Sequence, residues 1–277
     1  MRFFKRHFLA GAAAILILFA TTFSAMSVVT AAPPNGNTRL ERHRGFDYCG
    51  TASTSTMSSW YSPSPFGSVG FYIGGITIAS VCPATVANHT NSWVSTVTAQ
   101  GWNTVPIWDG LQSPCSGNSH RFAYGGGYSA GFTEGANAIT IASGLGFLSG
   151  AVLWIDLEGD NGTCHTDTNA FIQGWTNVLK AYGYKAGVYT STYNGNSLAT
   201  NSPPPDEVWF AKWDNAPSVF ALGGIVNPVY WTLHQRAKQY VTQHNETYNG
   251  ITLQIDTDCL DTYVSGVTTH SLYSACL

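Results

Sequence analysis

Eight short apolar runs, separated by longer stretches, constrain the fold of this chain more than any other feature. They cover residues 45–48, 69–73, 104–108, 152–158, 186–190, 207–213, 229–234 and 251–256. Between the fourth and fifth runs, Phe171, Trp175, Val178, Leu179 and Tyr182 recur at i, i+4, i+7, i+8 and i+11, which predicts a helix with one apolar stripe. Thr166 or Asp167 suits its start and Gly183 its left-handed stop. A second helix is predicted over 129–143, where abundant Ala and Gly imply close packing on the sheet. Strands alternating with helices give a parallel sheet with crossover connections, and eight strands favour a closed barrel. After the fifth run the spacing falls to roughly two dozen residues per unit, below the ~30 of a full βαβ unit. The expected fold is therefore α/β, an irregular TIM-type (β/α)8 barrel with shortened later helices.

The N-terminus carries an export pattern. Arg2, Lys5 and Arg6 precede an apolar run over 8–20, and small residues lead to Val29-Thr30-Ala31, a sequence suited to signal-peptidase cleavage. A retained N-terminal anchor is the alternative. Residues 1–31 are thus expected to be a signal peptide, 32–43 a flexible lead-in and 44–277 a single barrel domain, secreted to the extracellular space or cell envelope. Cleavage would remove three of the 12 basic residues and none of the 15 acidic ones, leaving a net charge of −6. No basic patch remains to neutralise phosphates, so nucleic acid is not an expected partner.

Six cysteines remain in the mature chain, and an even count in an exported protein favours disulfides. Cys82 and Cys115 follow neighbouring strands and are expected to pair. Cys259 and Cys276 would pin the C-terminal tail, and Cys49 and Cys164 are left for each other.

The strongest chemical signal is Trp154-Ile155-Asp156-Leu157-Glu158-Gly159. Side chains alternate along a strand, so Trp154, Asp156 and Glu158 share one face. Two carboxylates at the C-terminal end of a barrel strand lie where such barrels carry catalytic groups. Close carboxylates resist ionising together, so one should hold its proton and serve as a general acid. A calcium site or a capped loop is the alternative for this run. Asp47 ends the first run, and Gln254, Asp256 and Asp258 share one face of the last. Strands one and eight become neighbours when a barrel closes, which would bring Asp47 and Asp256 to one mouth.

Tyr72, Trp108, Tyr189, Trp209, Trp213 and Trp231 lie in or just after strands. Aromatic rings there could pack on the flat faces of sugars, with Gln235 and Asn194 holding hydroxyls, although half or more could equally be core. His165, His234 and His244 lack the H-E-x-x-H spacing, so no metal is expected, and His234 reads as a pocket hydrogen-bonding residue. No G-x-S-x-G nucleophile elbow is present. Gly125-Gly126-Gly127 lacks a following Lys-Ser/Thr and reads as a turn.

These motifs resemble the family 25 lysozymes: Asp at the end of strand one, D-x-E at strand four, G-V-Y-T-S at strand five, V-W-F-A-K-W at strand six and a late I-D-T-D. The opening G-F-D-Y-C, the 57–60 segment, G-F-Y-I-G-G and G-W-N-T-V-P-I-W are closer to the secreted bacterial glycoside hydrolase-like domains related to those lysozymes. The resemblance implies that Asp47, Asp156, Glu158 and Asp256 form the acidic site. Glu158 would be the proton donor, and Asp156 would support developing positive charge or a participating acetamido group. Where the lysozymes continue their first motif with a serine-rich turn and Gln-Gly, this chain has Tyr48-Cys49-Gly50. The expectation is a monomeric, cofactor-free glycosidase acting on a cell-wall or other extracellular polysaccharide, peptidoglycan among them. The alternative is a non-catalytic carbohydrate-binding or envelope interaction protein on the same barrel.

Overall fold

Seven of the eight apolar runs become strands, and the exception is set by its backbone. The computed structural model describes residues 38–160 and 162–277, so the expected signal peptide lies outside the described residues. In chain order the elements are β1 (Thr38–Glu41), β2 (Arg44–Tyr48), α1 (Thr54–Tyr61), β3 (Ser68–Gly74), α2 (Ile76–Val81), α3 (Pro83–Asn88), α4 (Asn91–Ala99) and β4 (Asn103–Trp108). They continue with α5 (Gly127–Gly144), β5 (Val152–Leu157), α6 (His165–Ala181), β6 (Lys185–Ser191), α7 (Gly195–Leu198), β7 (Glu207–Ala211), β8 (Arg236–Tyr248) and β9 (Ile251–Ser265). Strands β2 to β8 run parallel in sequence order, and β9 closes the barrel antiparallel to both β8 and β2. The eight-stranded barrel of the expectation is present, with a mixed sheet.

The antiparallel closure has a local cause. Asn249 and Gly250 join β8 to β9 with φ of 49° and 75°. Two successive left-handed residues make the tight hairpin turn that Asn-Gly favours, and such a turn leaves no room for a crossover. The predicted seventh strand, 229–234, is instead a series of turns, with Trp231 and His234 at positive φ. The true seventh barrel strand, β8, was hidden by its polarity. Its Arg236 and Lys238 are buried: Arg236 donates to the Tyr230 carbonyl, and Lys238 Nζ donates to Asp214 at 2.7 Å and to the carbonyls of Ala216 and Ala221. Residues 38–41, expected in the flexible lead-in, form β1 against the end of β9.

Inward-facing side chains fill the barrel in layers. Val105, Ile107, Val152, Trp154, Trp209, Ala237 and Leu260 form its interior cluster. Trp154 fits because Gly187 opposite has no side chain; a Cβ there would fall on the indole. Outward-facing Phe46, Phe71, Ile155, Leu157, Val188 and Phe210 meet the helices. On α6 the stripe Phe171, Trp175, Val178 and Leu179 is buried, whereas Tyr182 lies past the helix end and is exposed. The helix α5 packs against β3 and β5 as expected, while its glycines serve the contact with α6. Gly131 lies against the Phe171 carbonyl, Gly135 against Val178, and Gly174 of α6 against the Tyr128 carbonyl. The glycines bring helix to helix, not helix to sheet.

The disulfides are Cys49–Cys82, Cys115–Cys164 and Cys259–Cys276. Only the last matches the expected pairing. Cys82 ends α2, which folds back beside the loop after β2 and brings its Cα to 6.0 Å from that of Cys49. The loops after β4 and β5 are then joined through Cys115 and Cys164.

Candidate active site

The parallel strands end at one mouth, where a cavity of about 460 Å³ opens. Asp47 comes from β2, Asp109 from just beyond β4, Asp156 from β5 and Glu158 from the residue after its end, and Asp256 from β9; all five line the cavity. Register explains the convergence: Asp47 pairs directly with Asp256 across the closing strands, so both side chains face inward. Asp258, two residues on, is buried behind them. Among the described residues, no lysine or arginine lines the cavity.

Three amides and phenols hold these acids. Gln239 Nε2 donates to Asp47 Oδ2 at 3.0 Å, and Gln239 Oε1 accepts from Tyr189 Oη at 2.8 Å and from Trp213 Nε1 at 2.7 Å. Tyr72 Oη donates to Asp156 Oδ2 at 3.2 Å, while Asp156 Oδ1 is buried without a partner. Gln112 Nε2 donates to Asp109 Oδ1 at 2.9 Å. A bulge in β8 turns the Gln243 backbone N–H toward Asp256 Oδ1, the kind of irregularity that re-aims groups beside active sites.

Burial and crowding push the whole set toward the protonated form. Asp156 is raised well above the usual carboxylate range by burial and by Glu158, Asp109 and Asp47. Burial and Asp256 do the same for Asp47, and burial and Asp47 for Asp258. Asp109 is pushed up to about 8 by burial and by Glu158. Glu158 is also raised, by withdrawal from bulk water between the cleft walls and by Asp256, although its side chain remains exposed within the cleft. Such a cluster takes up and releases protons as a unit. Within it Glu158 is the most exposed acid, Asp256 is half-buried, and Asp47, Asp109, Asp156 and Asp258 are buried. Among the described residues no group of three or more His, Cys, Asp or Glu side chains is arranged to hold a metal ion.

Of the expected sugar contacts, Tyr72, Tyr189, Trp209 and Trp213 line the cavity. Trp108 points outward and donates to Glu134 at 2.6 Å, because its neighbour Ile107 takes the inward position. Gln235 donates to the Asp206 carbonyl, since β8 begins one residue later and places Gln239 at the mouth instead. His234 meets Asp261 at 2.7 Å, Trp231 the Pro205 carbonyl and Asn194 the Thr190 hydroxyl, none of them lining the cavity. Sequence reasoning missed Asp109, Gln112 and Gln239. Asp109 follows its strand as Asp47 ends its own, so the same strand-end signal was available.

Comparison with known proteins decides the family. Residues 58–260 match the "Rv2525c-like, glycoside hydrolase-like domain" family. The chain belongs to that family. The match takes in Asp109, Asp156, Glu158, Asp256 and Asp258 and begins after Asp47. Among solved structures, this glycoside hydrolase-like chain is similar to an uncharacterized B. stearothermophilus protein, with 16% identity and a TM-score of 0.52 over 79% of this chain and 95% of that one. A glycosyl hydrolase 25 of Streptococcus pneumoniae, the virulence factor GHIP, aligns with 10% identity and a TM-score of 0.46 over 79% and 86%. The modular autolysin LytC of Streptococcus pneumoniae aligns with 12% identity and a TM-score of 0.47 over 78% and 46%. No curated protein matches the chain significantly.

Proposed function

We propose that this glycoside hydrolase-like protein hydrolyses glycosidic bonds in a cell-wall or other extracellular polysaccharide, with peptidoglycan the first substrate to test. The observation that carries the reading is that Glu158, one residue past the end of β5, lines an open cleft together with the buried Asp156 of that strand. Glu158, raised toward protonation, would donate its proton to the leaving oxygen. Catalysis then uses the protonation state in which the Tyr72 hydroxyl supports an ionised Asp156 and the proton resides on Glu158. Ionised Asp156 would steady an oxocarbenium-like centre or a participating acetamido group. Trp213, exposed at the rim, offers a flat face for a sugar ring. Three disulfides are compatible with an extracellular setting, and we infer that the protein is exported.

The test is a screen of the purified protein on labelled cell walls, chitin and common glucans, followed by Glu158→Gln on whichever is cleaved. Loss of the transferable proton should lower turnover by about 10²–10⁴-fold while binding persists. A wild type that binds a polysaccharide but never cleaves one would replace this reading with the carbohydrate-binding barrel.

A further inference from the structure

The main-chain ladder between β4 and β5 is short, ending at the pair Trp108↔Ile155. Beyond it the chain after β4 turns away, yet the β5 backbone continues to Glu158 at the cavity mouth. The Gln112 side chain occupies the gap. Its Nε2 donates to the Asp156 carbonyl at 2.8 Å, and its Oε1 accepts from the Glu158 N–H at 2.7 Å. Asp156 C=O and Glu158 N–H flank Leu157, and they are the two groups that a residue opposite Leu157 on a parallel strand would engage.

We propose that Gln112 is the positioning residue of this site: its side-chain amide supplies the missing ladder rung opposite Leu157 and thereby holds Glu158 in the cleft with Asp156. The inference rests on the reading of Glu158 as proton donor. Gln112 is itself fixed, being 1% exposed and paired through its backbone N–H and C=O with His120 and Phe122. Three residues on, Cys115 bonds to Cys164, and Ser113 and Thr168 both donate to Asp160. The loops after β4 and β5 are therefore tied to each other beside the amide. The same Nε2 reaches Asp109, so one side chain orients the acid and the adjoining carboxyl.

Two substitutions with opposite consequences test this. Gln112→Leu preserves bulk and removes both rungs; Gln112→Glu keeps an acceptor for the Glu158 N–H and adds a carboxyl. The groups around Glu158 are Asp156 on β5, Asp109 after β4, Asp256 on β9, Asp47 on β2, Tyr72 on β3 and Tyr189 on β6. His244 of β8 lies beyond Asp256, and Arg121 holds the Ser116 carbonyl in the flanking loop. The chain has five glutamates, so carboxyl ¹³C-labelled protein resolves the Glu158 titration, assigned by its loss in Glu158→Gln.

In Gln112→Leu the freed Glu158 should swing from its acidic neighbours. Its titration and the alkaline limb of kcat should then move to lower pH, and kcat should fall by about 10²-fold with KM little changed. In Gln112→Glu both should move to higher pH. If Gln112→Leu does not fold, Gln112→Glu carries the test alone. An unmoved Glu158 titration overturns the proposal, as does activity that falls only with the folded fraction. If the titrations move as described but the wild type cleaves no polysaccharide, the catalytic reading falls and the positioning role stands.

Discussion

Replacing Glu207 by glutamine should leave stability nearly unchanged at pH 4.5 and raise it clearly at pH 8. Glu207 lies 1% exposed at the closed end of the barrel, opposite the mouth, where Thr262 Oγ1 donates to it. Burial pushes its carboxyl up to about 8, with only partial relief from Thr262 and Lys185. The folded value lies above the unfolded one, so the folded state binds the extra proton. Below pH 4.5 both states are protonated and the contribution is fully present; between 4.5 and 8 it is progressively lost as the unfolded chain ionises. A rise from 4.5 to about 8 corresponds to roughly 5 kcal/mol. Glutamine keeps the acceptor for Thr262 and cannot ionise, so the variant should lack this slope. Relative to wild type, its Tm should climb with pH, reaching a gain on the order of 10 °C at pH 8. Thermal melts of both proteins from pH 4.5 to 8.5 read it directly, and the difference cancels the other raised carboxyls. A Tm difference that stays constant with pH would refute the reasoning.

The remaining predictions need simpler assays. Gly131→Ala gains ~1 kcal/mol of helix propensity but drives a methyl into the Phe171 carbonyl, an overpacking cost of about 1–3 kcal/mol; calorimetry should show a net drop in Tm of a few degrees. The double variant Cys115→Ser/Cys164→Ser opens a loop spanning 49 positions, and urea unfolding should report a loss of about 4 kcal/mol. Trp213→Ala removes an aromatic face that Gln239 holds at the rim, so polysaccharide affinity should fall roughly tenfold with the melting curve unmoved.

The acids legible in the sequence were those that alternation alone locates. Asp156 and Glu158 share a face because they are two residues apart on a strand, and Asp47 and Asp256 meet because the first and last strands close the barrel. What the sequence concealed depended on partners distant along the chain. β8 looks like a loop because the carbonyls and Asp214 that neutralise Arg236 and Lys238 come from residues 214–230. With β8 unseen, Gln239 had no strand to place it at the mouth. Gln112 lies in a loop whose course is set by the Cys115–Cys164 bridge, a pairing that cysteine order alone does not fix. The glycines of α5 were visible as composition, but their neighbour was not.

The closing hairpin also dictates when this cavity can exist. Every other barrel strand pairs with a parallel neighbour near it in sequence, whereas β9 must reach back to β2, more than 200 residues earlier. Loop closure of that length costs entropy before any contact repays it, so this seam is expected to form late. Until it forms, β2 and β9 each expose an unpaired edge open to other chains. Asp256 and Asp258 arrive on that same strand, so the acidic mouth is completed by the step that seals the barrel. A chain truncated at the Asn249–Gly250 turn would lose Asp256 and Asp258 from the acidic mouth and leave β2 and β8 as open edges at once, so closing this hairpin decides folding quality and chemical competence together.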